Sequence, residues 1–229
     1  MSSLRSLFVL AAIWLVLVRQ GDVPNAYLQA GLDKPIYMRP PRGMQLEEGK
    51  VLLLKKSLYG LKQSGKLWNA KHWLQPQSSG PMPYFRHSGN KLTVLGFYVD
   101  DVLIVSQDPA DANRSMEQLK TKFNVKDFGV ASKCLGLCDS QDDRGIFLHQ
   151  QPHLDELLER TGLANCRPAR TPMDTSISID EKDTAPFHDS QPMRETKGSL
   201  LWLSICTRPD ITVAVNSFAR FQRVYTGRE

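Results

Sequence analysis

The sequence predicts an α+β fold in which a central antiparallel hairpin is covered by helices over one face. Two neighbouring segments, Lys91–Tyr98 and residues 102–105, are rich in β-branched and aromatic residues and are separated only by residues 99–101. After them, Asp108 can cap a helix over Pro109–Phe123, since proline is favoured in a first helical turn. With 41% hydrophobic and 23% charged residues, the 229-residue chain has the composition of a core-forming protein.

The charge and the cysteines exclude some classes of protein. A formal net charge of +5 permits a nucleic-acid or anionic partner without requiring one. Four cysteines without a C-x-x-C pair exclude a disulfide-built miniprotein and predict reduced thiols. His149 and His153 have the spacing of two helical zinc ligands, but Pro152 lies between them and the H-E-x-x-H glutamate is absent. We therefore interpret both histidines as surface or packing residues.

Residues 7–18 are almost wholly apolar and lie between Arg5 and Arg19. The segment is too short to cross a bilayer, which needs about 20 residues, but its basic start and apolar run are typical of a signal peptide. Alternatively, it begins a core, with a helix capped by Ser2 or Ser3 and a buried strand over residues 14–18 that ends near Asp22. The expected apolar face of that helix comprises Leu4, Leu7, Val9, Leu10 and Ala11. Composition alone leaves both interpretations open.

The rest of the chain alternates short elements with turns. Proline and glycine mark loops around residues 35–43 and 75–83, and residues 167–192 have the Pro-, Ser- and acid-rich composition of a mobile linker. The remaining predicted elements are a buried strand over residues 51–54, a helix over 63–73 with Leu67, Ala70 and Trp73 on one side, a hairpin of residues 133–137 with Gly145–His149, a helix over 154–161 ended by Gly162, and helices over 196–206 and 210–222.

Three carboxylates stand at the ends of apolar segments. Asp100 and Asp101 lie between the two strands of the central hairpin, and Asp22 follows the predicted N-terminal strand. Acids there are costly unless water, a metal or a basic partner compensates them. Together they would form an oxygen-rich site suited to Mg²⁺. The alternative is ordinary turn chemistry, because aspartate is common in hairpin turns.

Several segments of the sequence resemble motifs of a known family. Tyr98-Val99-Asp100-Asp101 resembles the YxDD box of reverse transcriptases, and DVPNAYL over residues 22–28 is similar to their first aspartate motif. Further segments resemble, in order, the copia type of long-terminal-repeat retrotransposon: IYMRPPRG at 36–43, LKKSLYGLKQS at 54–64, FLHQ at 147–150, TPM at 171–173, KGSL at 197–200 and TRPDI at 207–211. The family has a hydrophobic helix and strand before its first aspartate, so the resemblance favours the core interpretation of residues 7–18.

The resemblance implies a polymerase palm that transfers a nucleotide to a primer 3′-hydroxyl with Mg²⁺, or Mn²⁺, as cofactor. Asp22 and Asp100 would be the principal metal ligands, and Asp101, also at the metal site, would support the site or the primer end. All three are the implied catalytic residues. Tyr27 would stack under the incoming sugar. The other implied contacts are Asn25, Ala26 and Gln63 with the nucleotide, and Tyr98, Val99 and Lys62 with the primer and template.

The implied domains are a partial palm over residues 1–128, a thumb-like hairpin and helix over 129–166, a flexible linker over 167–195 and a helical connection over 196–229. The chain also departs from the family. It starts without the fingers segment, has Gly65-Lys66-Leu67-Trp68 after the LYGLKQS motif where the family has Pro-Arg-Ala-Trp, and stops before the ribonuclease H domain. We therefore expect a polymerase fragment that is weak or inactive alone.

The implied partners are an RNA or DNA template-primer, a deoxynucleoside triphosphate and other polyprotein segments, in the cytoplasm or nucleus and without a membrane. Two alternatives stay open. One is a secreted protein with a signal peptide. The other is a non-catalytic nucleic-acid-binding remnant, in which bases stack on Tyr59 and Trp68 beside a basic stretch. That stretch comprises Lys50, Lys55, Lys56, Lys62 and Lys66.

Overall fold

The computed structural model describes residues 2–71, 84–173 and 190–220. The chain forms two compact units, of which the first comprises Met1–Cys134 and Gln141–Ile146 and the second Leu135–Ser140 and Phe147–Glu229. The strands are β1 (Arg19–Asp22), β2 (Tyr37–Met38), β3 (Leu52–Leu53), β4 (Tyr84–Ser88), β5 (Lys91–Tyr98), β6 (Asp101–Ser106), β7 (Lys126–Val130), β8 (Lys133–Cys134), β9 (Leu137–Asp142) and β10 (Gly145–His149). The α-helices are α1 (Ser2–Trp14), α2 (Ser64–Lys71), α3 (Pro109–Phe123), α4 (Gln151–Arg160), α5 (Ser190–Cys206) and α6 (Thr212–Arg220), and 3₁₀ turns cover Ala26–Gln29 and Pro209–Ile211.

The first unit is built on a five-stranded antiparallel sheet with strand order β4-β5-β6-β1-β7. The predicted hairpin of β5 and β6 and the predicted helix α3 are both present, and the Asp108 side chain accepts from the Ala110 N–H at 3.2 Å as a helix cap. This mixture of helices and antiparallel sheet confirms the α+β class.

The sheet carries helices on both faces, where the sequence predicted one. Phe97 of β5 packs with Met116 of α3 in the hydrophobic core. Successive residues of a strand face opposite sides of the sheet, so the neighbouring Gly96 faces the side away from α3. A Cβ placed on Gly96 would collide with Leu7 of α1. The two helices therefore cover opposite faces of β5.

The N-terminal segment begins a core, but its strand is not where composition placed it. Helix α1 runs on to Trp14, and Leu15 follows with φ +54°. The strand β1 consists instead of Arg19, Gln20, Gly21 and Asp22, which become a strand because β6 and β7 pair with them on both sides. The predicted strand over residues 14–18 is therefore wrong.

Burial on α1 also differs from the expectation. Leu7, Phe8 and Ala11 are at most 4% exposed, whereas Val9, expected on the apolar face, is 56% exposed. Since three residues of this segment are core residues, the structure favours the core interpretation over a cleaved signal. Within the described residues, no helix is both long enough and apolar enough to span a membrane.

Several shorter elements are shifted. The strand expected over residues 51–54 is reduced to β3, which pairs with β2, and Leu53 is 43% exposed rather than buried. Helix α2 is shorter than predicted and buries Trp68; Trp73 lies outside the described residues. The hairpin partner of β10 is β9 rather than residues 133–137, because Leu135 and Gly136, both with positive φ, end β8 after Cys134.

In the second unit, α5 packs against α4 and α6. Arg160 of α4 donates to Ser199 of α5 at 2.9 Å, and Thr207 donates to the Gln150 side-chain carbonyl at 2.8 Å. Helix α4 begins at Gln151, three residues before the predicted start, because Pro152 is accommodated in its first turn. Of the flexible linker predicted over residues 167–195, residues 174–189 lie outside the described residues, whereas residues 190–195 already belong to α5. The last predicted helix is split into the Pro209–Ile211 turn and α6.

Candidate active site

The three acids predicted from the sequence lie at one end of the sheet. Asp22, the last residue of β1, is paired directly with Asp101, the first residue of β6. Asp100 lies in the two-residue turn between β5 and β6, and its carbonyl accepts from the Val23 N–H at 2.7 Å. The pairing of β1 with β6 thus brings carboxylates from two distant parts of the chain together.

The turn that carries Asp100 has a backbone conformation that tertiary contacts must hold. Val99 has φ +57°, which is unfavourable for a β-branched residue. Its carbonyl accepts from Nε1 of Trp68 at 2.9 Å, and Trp68 is only 1% exposed. Its neighbour Tyr98 is 57% exposed. Trp68 therefore anchors the turn from within the core, a role that its place in the sequence did not indicate.

The burial of Trp68 also bears on the nucleic-acid-binding alternative. That hypothesis needs Trp68 as an open ring for base stacking, but its ring contacts Phe123 with 5.3 Å between the centroids. The five lysines of the basic stretch are exposed, as is Tyr59. Of the two rings expected to stack on bases, only Tyr59 is exposed. The prediction that bases stack on Trp68 was wrong, because Trp68 is a core residue.

The two oxygens of Asp100 have different surroundings. Oδ2 accepts from the Tyr59 hydroxyl at 3.0 Å. Oδ1 is buried and has no hydrogen-bond partner among the described residues. Burial raises the pKa of Asp100, the bond from Tyr59 lowers it in part, and the negative charge of Asp22 raises it further. The site therefore holds a carboxylate that lacks full compensation of its charge.

Asp101 is held differently, by a polar residue buried within the sheet. Its Oδ1 accepts from Gln20 Nε2 at 3.3 Å, and the same amide group donates to the Lys133 carbonyl at 2.8 Å. Burial raises the pKa of Asp101, the bond from Gln20 lowers it in part, and the charges of Asp22 and Asp100 raise it. Gln20 is 4% exposed and was not among the predicted site residues.

The predicted nucleotide-binding residues of the first motif are connected to Asp100 by Tyr59, which contacts both. Asn25 has a left-handed conformation, φ +53°, and precedes the 3₁₀ turn that begins at the buried Ala26. The Tyr27 ring contacts the Tyr59 ring with 4.7 Å between the centroids and a tilt of 47°. The backbone N–H groups of Ala26 and Tyr27 face the Tyr59 hydroxyl and lower its pKa, although burial and Asp100 raise it overall.

Gln63 and Lys62 lie just before α2. Gln63 is half-buried and its carbonyl accepts from the Leu67 N–H at 2.9 Å, whereas Lys62 is exposed. Within the described residues, no hydrogen bond or ion pair joins either side chain to the three acids. Two serines hold the geometry of this loop instead: Ser57 donates to Ser64 Oγ, and Ser64 donates to the Leu58 carbonyl, both at 2.6 Å.

The oxygens of the three acids suit a cation that also binds a substrate better than they suit a metal site formed by protein side chains alone. No group of three or more His, Cys, Asp or Glu side chains in the described part of the chain could hold a metal ion. Mg²⁺ commonly binds proteins through one or two carboxylates and completes its shell with phosphates and water. The buried, unsatisfied Oδ1 of Asp100, near the charge of Asp22, is an oxygen that such an ion would satisfy.

Comparison with known proteins gives a consistent result. The family described as reverse transcriptase (RNA-dependent DNA polymerase) matches residues 1–175. The retrovirus-related Pol polyprotein from transposon TNT 1-94 of Nicotiana tabacum is 34% identical over 96% of this chain and 18% of its own length. That from transposon RE1 of Arabidopsis thaliana is 32% identical over 91% of this chain and 15% of its length.

A shorter relative matches this chain over most of the relative's own length. The putative transposon Ty5-1 protein of Saccharomyces cerevisiae is 29% identical over 88% of this chain and 69% of that protein. No solved structure matches the chain. The chain thus spans less than a fifth of the two plant polyproteins, and the similarity to them extends over nearly all of it. It therefore belongs to the reverse transcriptase (RNA-dependent DNA polymerase) family, in the form found in copia-type retrotransposons.

Proposed function

We propose that the chain carries the palm active site of a retrotransposon RNA-directed DNA polymerase, with residues 1–128 as the palm. The observation that carries the proposal is the pairing of Asp22 with Asp101 beside the Asp100 turn, which places three carboxylates at one end of the sheet. Family membership supports the reaction class. The finer roles that we propose for individual residues are those that the resemblance to the family implies.

In the proposed reaction, a primer 3′-hydroxyl displaces pyrophosphate from a deoxynucleoside triphosphate on a template-primer. Asp22 and Asp100 would hold Mg²⁺ or Mn²⁺, which would supply charge stabilisation to the attacking and leaving oxygens. Asp101, fixed by Gln20, contributes negative charge beside them. The Ala26 and Tyr27 amides, which face the Tyr59 hydroxyl, would bind the triphosphate, and Tyr27 would contact the sugar.

The residues of the turn would face the primer. Tyr98 is exposed at the end of β5, and Val99 is held by Trp68. Lys62, exposed before α2, would contact the template backbone, and Gln63 would lie nearer the nucleotide. We further propose that other polyprotein segments contribute to binding the template-primer, since the chain spans only 18% and 15% of the two plant relatives.

The test is primer extension on an RNA template with Mg²⁺ or Mn²⁺. We expect at most weak incorporation of the templated nucleotide by the wild-type chain, its loss in Asp100→Asn, and no change in Asp143→Asn, which alters an exposed aspartate of the β9–β10 hairpin. Equal incorporation by wild type and Asp100→Asn would contradict the assignment. Weak activity is compatible with it provided that the activity depends on Asp100.

A further inference from the structure

Tyr59 touches the proposed site although it is not one of the acids. It lies in the loop between β3 and α2, and its hydroxyl donates to Asp100 Oδ2 at 3.0 Å. Its ring contacts the ring of Tyr27, with 4.7 Å between the centroids. The residue thus connects the LYGLKQS segment, the first aspartate motif and the turn of the β5–β6 hairpin.

The hydrogen bond makes the two carboxylate oxygens of Asp100 unequal. Oδ2 is occupied by the hydroxyl, whereas Oδ1 is buried with no hydrogen-bond partner in the described residues. A carboxylate bonded through one oxygen loses the freedom to rotate about its own axis. The remaining oxygen is then directed to one place before any ligand arrives, which is how outer hydrogen bonds orient metal ligands.

The position of Tyr59 is itself determined by buried contacts. Ser57 and Ser64, each 1% exposed, are joined by a 2.6 Å hydrogen bond that closes the loop around it, and Ser64 also donates to the Leu58 carbonyl. Gly60 has φ +93°, a conformation that a side chain would disfavour. The loop therefore presents the Tyr59 ring in one orientation, although 43% of the residue is exposed.

We propose that Tyr59 is a positioning residue that holds Asp100 through Oδ2, so that Oδ1 is left to coordinate a divalent cation. This inference rests on the proposed function, because it requires Asp100 to be a cation ligand. Tyr59 does not bind the cation. It contributes by restricting the carboxylate, and its loss weakens cation binding without abolishing it.

The probe is Mn²⁺ alone, titrated into the full 229-residue chain, with free Mn²⁺ measured by electron paramagnetic resonance. We expect Tyr59→Phe to weaken Mn²⁺ binding about tenfold, because outer-shell substitutions typically cost 10- to 100-fold. Phenylalanine keeps the ring beside Tyr27, so the thermal unfolding midpoint stays unchanged. Tyr37→Phe, which removes an exposed hydroxyl in β2, is the matched control and leaves the affinity unchanged.

A double substitution separates positioning from a general effect on structure. In the Asp100→Asn background, Tyr59→Phe should cause no further loss of Mn²⁺ affinity, since the two residues act through one contact. If Asp100→Asn weakens binding but Tyr59→Phe stays within twofold of wild type, the role of Tyr59 is refuted and the proposed function stands. If the wild-type chain binds no Mn²⁺, or binds it independently of Asp100, the metal-binding part of the proposed function fails too.

Discussion

Replacing Asp111 with asparagine tests how buried charge stabilises the first unit, because two arginines and a threonine compensate the charge of this carboxylate. It lies in the first turn of α3, and its side chain is 4% exposed. Arg86 of β4 contacts both of its oxygens, at 2.7 and 3.2 Å, Thr93 of β5 donates at 2.5 Å, and Arg114 donates at 3.0 Å. The carboxylate thus ties a helix to two strands of the sheet.

The size of the effect follows from the pKa. Burial alone would raise the pKa of Asp111, but the bonds from Arg86, Thr93 and Arg114 outweigh it and lower the pKa from 3.8 to about 2. At about 1.4 kcal/mol per pKa unit, this corresponds to about 2 kcal/mol of stability at pH 7. Because the folded-state pKa is depressed, the contribution is complete well above pH 3.8 and is lost as the pH falls through 2. About half of the contribution remains at pH 3.

The assay is urea unfolding of the wild-type chain and Asp111→Asn at pH 7 and pH 3, followed by tryptophan fluorescence. We expect the variant to lose about 2 kcal/mol at pH 7 and about half as much at pH 3. Glu117→Gln is the control on the same helix: its ion pair with Lys120 is exposed, so we expect this variant to lose much less stability than Asp111→Asn. A loss below about 0.5 kcal/mol at pH 7, or an equal loss at both pH values, would refute the reasoning.

Two further predictions concern the support of the site. Trp68→Phe removes the donor to the Val99 carbonyl but keeps a ring against Phe123. We expect the free energy of unfolding in urea to fall by about 1 kcal/mol and Mn²⁺ binding to weaken. A variant with unchanged stability and Mn²⁺ affinity would show that the turn does not need the bond from Trp68. Gly21→Ala places a Cβ 2.7 Å from Val125 Cγ1 and 3.2 Å from the Lys126 carbonyl; we expect a loss of about 1–3 kcal/mol, and a thermal midpoint equal to that of wild type would contradict the close packing of β1 against this segment.

The site combines a tight hairpin turn with a hydrogen bond from a residue distant in the chain. Two-residue turns place residues at the open end of a hairpin, and they favour residues that tolerate positive φ. Here a valine occupies such a position, and the cost of its conformation is offset by the bond from Trp68. Strained backbone of this kind is often found at functional sites. Tyr59 lies within the LYGLKQS segment and Trp68 follows it in α2, so this part of the chain contacts the turn at both Asp100 and Val99.

The sequence by itself determined the parts of the protein whose signals are local. The β-rich composition of β5 and β6 and the capping of α3 by Asp108 predicted these elements closely, because strand propensity and helix capping depend on neighbours along the chain. The ordered motifs determined the family. They also identified Asp22, Asp100 and Asp101 as strand-end acids, and the structure has all three at one end of the sheet.

Only the tertiary structure decided how the acids are held. No local pattern predicts that the polar residues 19–22 form an inner strand, because that strand exists through pairing with β6 and β7 on both sides. Nor does one predict that Trp68 bonds Val99, that Gln20 bonds Asp101 or that Tyr59 bonds Asp100, since each contact joins segments distant in the chain. Periodicity reports which side chains are buried, but the partner of a buried polar group depends on how the chain folds back on itself.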